Sequence, residues 1–127
     1  ECGLPERCYR AERSIEGGQF ATTRILRQDP RTDAIVFTED TTAVGGLHTL
    51  LITGKRIPED VAVIGCNNSV YCTICYPQLS SIDNSLHETG RTAAQQMIRL
   101  LNHEPDVEKT VCLPCRLVLR DTTPPMM

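Results

Sequence analysis

Apolar residues fall along this chain in two alternating patterns, short unbroken runs and spaced stripes. That alternation predicts strands and helices in turn. Residues 17–27 place Phe20, Ala21 and Ile25 at helical spacing. Gln28-Asp29-Pro30-Arg31 closes that helix, because proline disfavours helical backbone in the residue before it. Ala34-Ile35-Val36-Phe37 is an unbroken apolar run between Asp33 and Thr38, the form of a strand buried on both faces. Residues 41–53 predict the next helix, with Val44, Leu47 and Leu51 on one face. Asp40 is placed to cap its start and Gly54 to end it. Val61-Ala62-Val63-Ile64 reads as a second buried strand. Strand, helix and strand so close together form a βαβ unit, so strands 34–37 and 61–64 are expected to be parallel neighbours. Residues 69–78 read as a loop or short irregular helix, and Leu79–Ile82 as a short strand. Ser85-Leu86-His87-Glu88 has the form of a capping box and opens a helix to about Leu101. Leu86, Gly90, Ala93, Met97 and Leu101 line one of its faces. Thr110–Leu113 and Leu117–Leu119 look strand-like. The class is α/β, a parallel sheet flanked by helices.

Composition narrows this picture. A chain of 127 residues holds one domain, with enough surface to bury a core without disulfide or metal support. The net charge is −3, which argues against a nucleic-acid-binding face on these residues. No apolar run approaches the roughly 18 residues of a membrane span, so no membrane partner is expected. The chain opens Glu1-Cys2-Gly3-Leu4-Pro5, without an initiator Met or the basic start and apolar core of a signal peptide. A fragment or processed chain is the expectation. Seven cysteines fit a closed disulfide framework poorly, and a reducing, cytoplasmic setting suits them better.

Four stretches, in order, resemble the C-terminal part of a LacI/GalR-type transcriptional regulator. They are DAIVFTEDTTAVGGLHTL, RIPEDVAVIGCNN, YPQLSSIDNSLHETGRTAAQQMIRLL and VCLPCRLVLRDTT. SIEGGQFATTRIL matches an earlier helix of the family more loosely. The resemblance implies a partial periplasmic-binding-protein-like (type I) fold over residues 1–127, the C-terminal portion of an effector-binding domain. It also implies that residues 80–105 would normally pack in the opposite lobe. The DNA-binding headpiece of the family is absent from the sequence in hand. The implied function is allosteric: a small effector, a sugar or another metabolite, binds between lobes and changes how two headpieces meet operator DNA. A periplasmic sugar-binding protein shares the lobes, and a small four-cysteine zinc-binding module is the other alternative.

In open parallel sheets, ligands bind beyond the carboxyl ends of the strands. Two such ends are expected side by side, Thr38-Glu39-Asp40 and Gly65-Cys66-Asn67-Asn68, and amides and carboxylates grip sugar hydroxyls well. By resemblance, Asn67 stands where many members carry a ligand-contacting Asp, and Glu39 where many carry Asn. Cys66 replaces an aromatic residue, and Arg13 lies near another pocket-lining position. Cys72-Thr73-Ile74-Cys75 and Cys112-Leu113-Pro114-Cys115 have zinc-ligand spacing. Their long separation, and their place within ordinary strand and loop motifs, favour cysteines acting as small apolar fillers. No metal or cofactor is expected. His48, His87 and His103 have no predicted path to Cys66, so no catalytic site is expected and the chain is read as a non-enzyme. By resemblance the lobe forms a homodimer through the 41–52 helix (Val44, Leu47, Leu51) and the loop around Val70–Tyr76. The apolar and aromatic composition of that loop, with Tyr71 and Ile74, supports such an interface.

Overall fold

A computed structural model describes residues 7–125. Its order is α1 (Ile15–Gln28), β1 (Ala34–Val36), α2 (Asp40–Ile52), β2 (Ala62–Cys66), α3 (Tyr71–Ile74), β3 (Ser80–Asp83), α4 (Leu86–Leu101) and β4 (Arg116–Val118). The four strands form one sheet in the order β1-β2-β3-β4. β1 pairs β2 in parallel with Ile35 opposite Val63, as the apolar runs predict. β2 pairs β3 in parallel, and only β4 returns antiparallel. Residues 110–113, expected as a strand, form no regular structure. The backbone takes up strand geometry only at Arg116, where Asp83 pairs with it across the ladder.

Burial alternates along the strands. Ile35 and Val63 are buried, whereas Val36 is 66% exposed. The helices therefore cover one face of the sheet, and the other face, with Val36 and Leu117, stays open. Neither predicted strand is buried on both faces among the described residues. On the covered side Leu50, Val61, Val63, Cys72 and Leu79 are fully enclosed. Each large aliphatic side chain there contributes about 1.5–3 kcal/mol of burial.

α1 and α2 cross with their backbones touching, and glycine makes this possible. A methyl group on Gly18 would lie 2.0 Å from the Thr42 carbonyl oxygen, and one on Gly45 would lie 1.9 Å from that of Ile15. α1 starts on a Ser14 Oγ cap that accepts from the Gly17 amide at 2.9 Å. α2 ends as predicted, with Gly54 left-handed at φ +79 just beyond Thr53.

α4 spans the expected residues but has no buried side chain. Its capping box does not form. Ser85 is left-handed at φ 51, and its hydroxyl reaches the Pro114 carbonyl at 3.4 Å rather than capping the helix. The competing pull is local: the Ser85 amide donates to Asp83 Oδ1 at 2.8 Å, which turns the chain before the helix begins.

Past β4, Thr122 is fully buried between β2 and β3. Its carbonyl accepts from the Val63 amide at 2.8 Å. Its hydroxyl donates to the Val63 carbonyl at 2.7 Å and accepts from the Ser80 amide at 2.9 Å.

Candidate functional site

The ends of β1, β2 and β3 reach one edge of the sheet because these strands are parallel. Each end gives way at once to polar residues.

At the end of β1, Glu39 occupies the N-cap position of α2 in extended backbone, with no side-chain capping bond. Its carboxylate turns instead to Arg13, which precedes α1. Arg13 Nη2 lies 2.5 Å from Oε1 and Nε lies 3.3 Å from Oε2, so both oxygens are engaged. The guanidinium's hydrogen bond holds the Glu39 carboxyl below the usual carboxylate range, and the same bond raises Arg13.

At the end of β2, Asn67 has φ 96, a left-handed backbone rare outside glycine. Its amide N–H donates to the Ile82 carbonyl at 2.8 Å, which extends the ladder past the strand. Its side-chain Oδ1 accepts from Asn84 Nδ2 at 3.1 Å, and the same Asn84 nitrogen lies 3.0 Å from Cys66 Sγ. Asn84, at the end of β3, is thus a third contributor that the sequence reading passed over. β3 is only four residues long, so its end carries little signal in the sequence. Asn68 faces inward, with Oδ1 accepting from Arg120 Nη2 at 2.7 Å and Nδ2 donating to Asp83 Oδ2 at 3.3 Å.

Asp40 is not the helix cap it was expected to be. It lies in the first turn, 2% exposed. Its Oδ2 accepts from the Ser69 amide at 2.7 Å, and its Oδ1 from the Ser81 hydroxyl at 2.7 Å. The carboxylate ties the ends of all three parallel strands together. Gly65 permits this, since a methyl group there would lie 2.3 Å from Asp40 Oδ1.

Asn67 and Glu39 therefore share an edge, yet no hydrogen bond joins them and each holds a different partner. A cavity of about 410 Å³ runs along the outer side of β1, lined among others by Tyr9, Ile25 and Val36, and reaches Arg13 and Thr38 at this edge.

Cys66 faces two amides rather than a histidine, and His48 instead lies 3.1 Å from Gln19 Nε2. Cys72 is fully buried, and burial pushes its thiol up to about 11. It is an apolar filler, while Cys112 and Cys115 lie exposed elsewhere. Among the described residues, no group of three or more His, Cys, Asp or Glu converges as a metal would require. The expected interface residues divide. Leu47 is 2% exposed and so is already covered within this chain, and Val44 packs partly against the core. Leu51, Tyr71 and Ile74 are exposed, Ile74 by 69%. No helix is long and apolar enough to cross a membrane among the described residues.

Residues 1–123 match the family model described as a periplasmic binding protein-like domain. An HTH-type transcriptional regulator of Lachnoclostridium phytofermentans is 35% identical over 99 residues, 78% of this chain and 29% of that protein. A LacI family transcriptional regulator from Bifidobacterium animalis superposes with a TM-score of 0.89 at 33% identity, over 98% of this chain and 46% of the other. A LacI family regulator from Arthrobacter sp., solved with lactose, gives 0.79 at 36% identity, over 90% of this chain and 43% of that one. The chain thus spans less than half the length of each of these proteins.

Proposed function

The chain belongs to the periplasmic binding protein-like domain family, and from that premise we propose that it forms one wall of the effector site, and part of the oligomerising core, of a LacI/GalR-type transcriptional regulator. The observation that carries this reading is the gathering of Arg13, Glu39, Asn67 and Asn84 at the carboxyl edge of a parallel sheet, where open α/β folds take their ligands. The strained backbone of Asn67 supports it, because strain of this kind concentrates at functional sites.

The effector is a small sugar or metabolite, as lactose is in the Arthrobacter relative's structure. It lies between this wall and an opposite lobe. Of residues 80–105, expected to pack there, 80–83 instead form β3 in this sheet, whereas α4 belongs with that lobe, which explains a helix with no buried residue on this body. Closing the lobes on the effector changes their relative angle and so biases operator binding by a headpiece outside residues 1–127. The site binds and performs no chemistry, so the protein is a cytoplasmic regulator rather than an enzyme. Two copies pair through the exposed Leu51, Tyr71 and Ile74.

Replacing Asn67 with Ala in the full-length regulator tests the site. Calorimetric affinity for the effector should fall several-fold, about 0.5–1.5 kcal/mol for one lost hydrogen bond, with operator affinity nearly unchanged. An unaltered effector response sinks the assignment. Changing Tyr71 and Ile74 to Asp should give a folded monomer in sedimentation. A parent chain that is already monomeric at high concentration defeats the dimer reading.

A further inference from the structure

We propose that Cys112 and Cys115 form a thiol–disulfide exchange site. The pair takes the disulfide of a low-molecular-weight thiol and closes into a bond of its own, at the point where the chain returns to the sheet after α4. The proposal stands apart from the effector reading above.

Exposure sets this pair apart. As small apolar fillers both side chains would be enclosed, yet both are exposed. On the return leg Val111 and Leu113 line a cavity against α4, and Cys112 between them is left open to solvent. A zinc site needs further ligands, and none converges on the pair among the described residues. The chemistry open to it is that of two thiols. Cys72 and Cys75 have the same spacing and none of this access. Cys72 is fully buried. Cys75 is half-buried, with Sγ bonded to the Pro77 carbonyl at 3.4 Å. Accessible dithiols are the ones that exchange, and buried cysteines are inert.

The backbone permits closure. A disulfide needs Cα atoms about 4.4–6.8 Å apart. Residues 110–115 take no regular structure, and no backbone–backbone hydrogen bond holds them among the described residues. The leg bends to that distance without giving up a ladder bond. The position of the pair gives closure a consequence. Asp83 and Arg116 face each other across the β3–β4 ladder, so the excursion through α4 leaves and returns at one point. The closed loop contains Pro114, whose carbonyl accepts from the Ser85 hydroxyl at 3.4 Å. Ser85 follows Asn84, which donates to Asn67 at 3.1 Å. Closure is therefore felt at the exit of β3 as well.

The exchange balances. One cysteine loses its proton to solvent and attacks a sulfur of the small disulfide. That S–S bond breaks, a mixed disulfide forms, and one small thiolate leaves and takes up a proton. The second cysteine, deprotonated in turn, attacks the mixed disulfide at the protein sulfur and releases the other small thiol. The protein pair is oxidised by two electrons, and the small disulfide is reduced to two thiols.

Trypsin makes the test clean. Residues 110–116 are released as one peptide holding Cys112 and Cys115 and no other cysteine, and residues 57–91 carry Cys66, Cys72 and Cys75. The native chain and the full-length regulator are each incubated with oxidised glutathione, quenched in acid, unfolded, alkylated, digested and weighed. The 110–116 peptide should be lighter by two hydrogens and should lose all alkylation, while Cys72 and Cys75 alkylate fully. A doubly alkylated 110–116 peptide, one carrying two glutathione groups, or one joined to another peptide overturns the proposal. So does closure seen in this chain but not in the full-length regulator. At least one of Cys112→Ser and Cys115→Ser should stop at a stable mixed disulfide with one glutathione, and if neither does, the two-step exchange is wrong. In the isotope-labelled chain, oxidation should shift the Asn84 side-chain amide resonance. A closed pair that leaves Asn84 and Ser85 unmoved overturns the coupling to the exit of β3.

Discussion

Helices α2 and α4 have similar lengths, 13 and 16 residues, and opposite situations. α4 has the cleaner division between apolar and polar faces, yet buries nothing. Met97, Leu100 and Leu101 are all more than half exposed. α2 is apolar almost all round and is clamped between α1 and the sheet, with Leu50 and Ala43 fully enclosed. A two-sided pattern therefore says which face of a helix is suited to a partner, not that the partner is at hand. Most helical stability in a folded protein comes from packing the apolar face. α2 has that support from its own chain, and α4 does not.

Truncation is the largest way to test the contrast. Leu50→Ala should cost about 2–5 kcal/mol of unfolding free energy, whereas Leu101→Ala should change it by less than about 0.5 kcal/mol. Urea denaturation of the two variants reads both, and equal losses would mean that α4 is packed in solution.

Glycine gives a second matched pair. Gly45→Ala drives a methyl group into the Ile15 carbonyl and should cost about 1–3 kcal/mol. Gly90→Ala in α4 meets nothing within 4 Å and should stabilise by about 0.5–1 kcal/mol through helix propensity alone. Thermal melts of both variants should move in opposite directions.

A thiol pH dependence belongs to the α2 side, where Cys72 of α3 packs in the core. Cys72 ionises near 9.0 in an open chain and at about 11 when buried. The raised value means that its contribution to stability is complete below about pH 9 and is lost as pH rises through 11. Chemical denaturation at several pH values across that window should show the loss, and Cys72→Ala should flatten it. In the folded chain, thiol reagents should modify Cys112 and Cys115 well before Cys72.

The sequence made the β1–α2–β2 unit legible because its determinants are local. Unbroken apolar runs, a helical stripe and Gly54 each act within a few residues. Asp40 was misread for the opposite reason. Its position before an apolar helix is a capping signature, but the carboxylate is used by Ser69 and Ser81, and sequence spacing does not encode that long-range closure. The capping box at Ser85 failed similarly, outcompeted by Asp83. Topology, with the family resemblance, pointed to Glu39 and Asn67, and the parallel strands do put both on one edge. The Arg13 ion pair and the Asn84 amide were not anticipated, since each depends on how side chains turn once the edge exists. The glycines at the α1–α2 crossing were equally silent, because a missing side chain leaves no mark in a hydrophobic pattern.

Thr122 has a consequence for how this protein is made. The Ser80 amide waits for a partner 42 residues further along the chain, and the Val63 carbonyl for one 59 residues away. At the roughly 5–20 residues per second of translation, Ser80 is polymerised about 2–8 s before the residue that seals β3 to β2. Through that interval the strands around Leu79 have an open seam. The growing polypeptide should then be a client for chaperones at the ribosome, and arrest of synthesis short of Thr122 should leave a protease-sensitive chain that a few more codons would close.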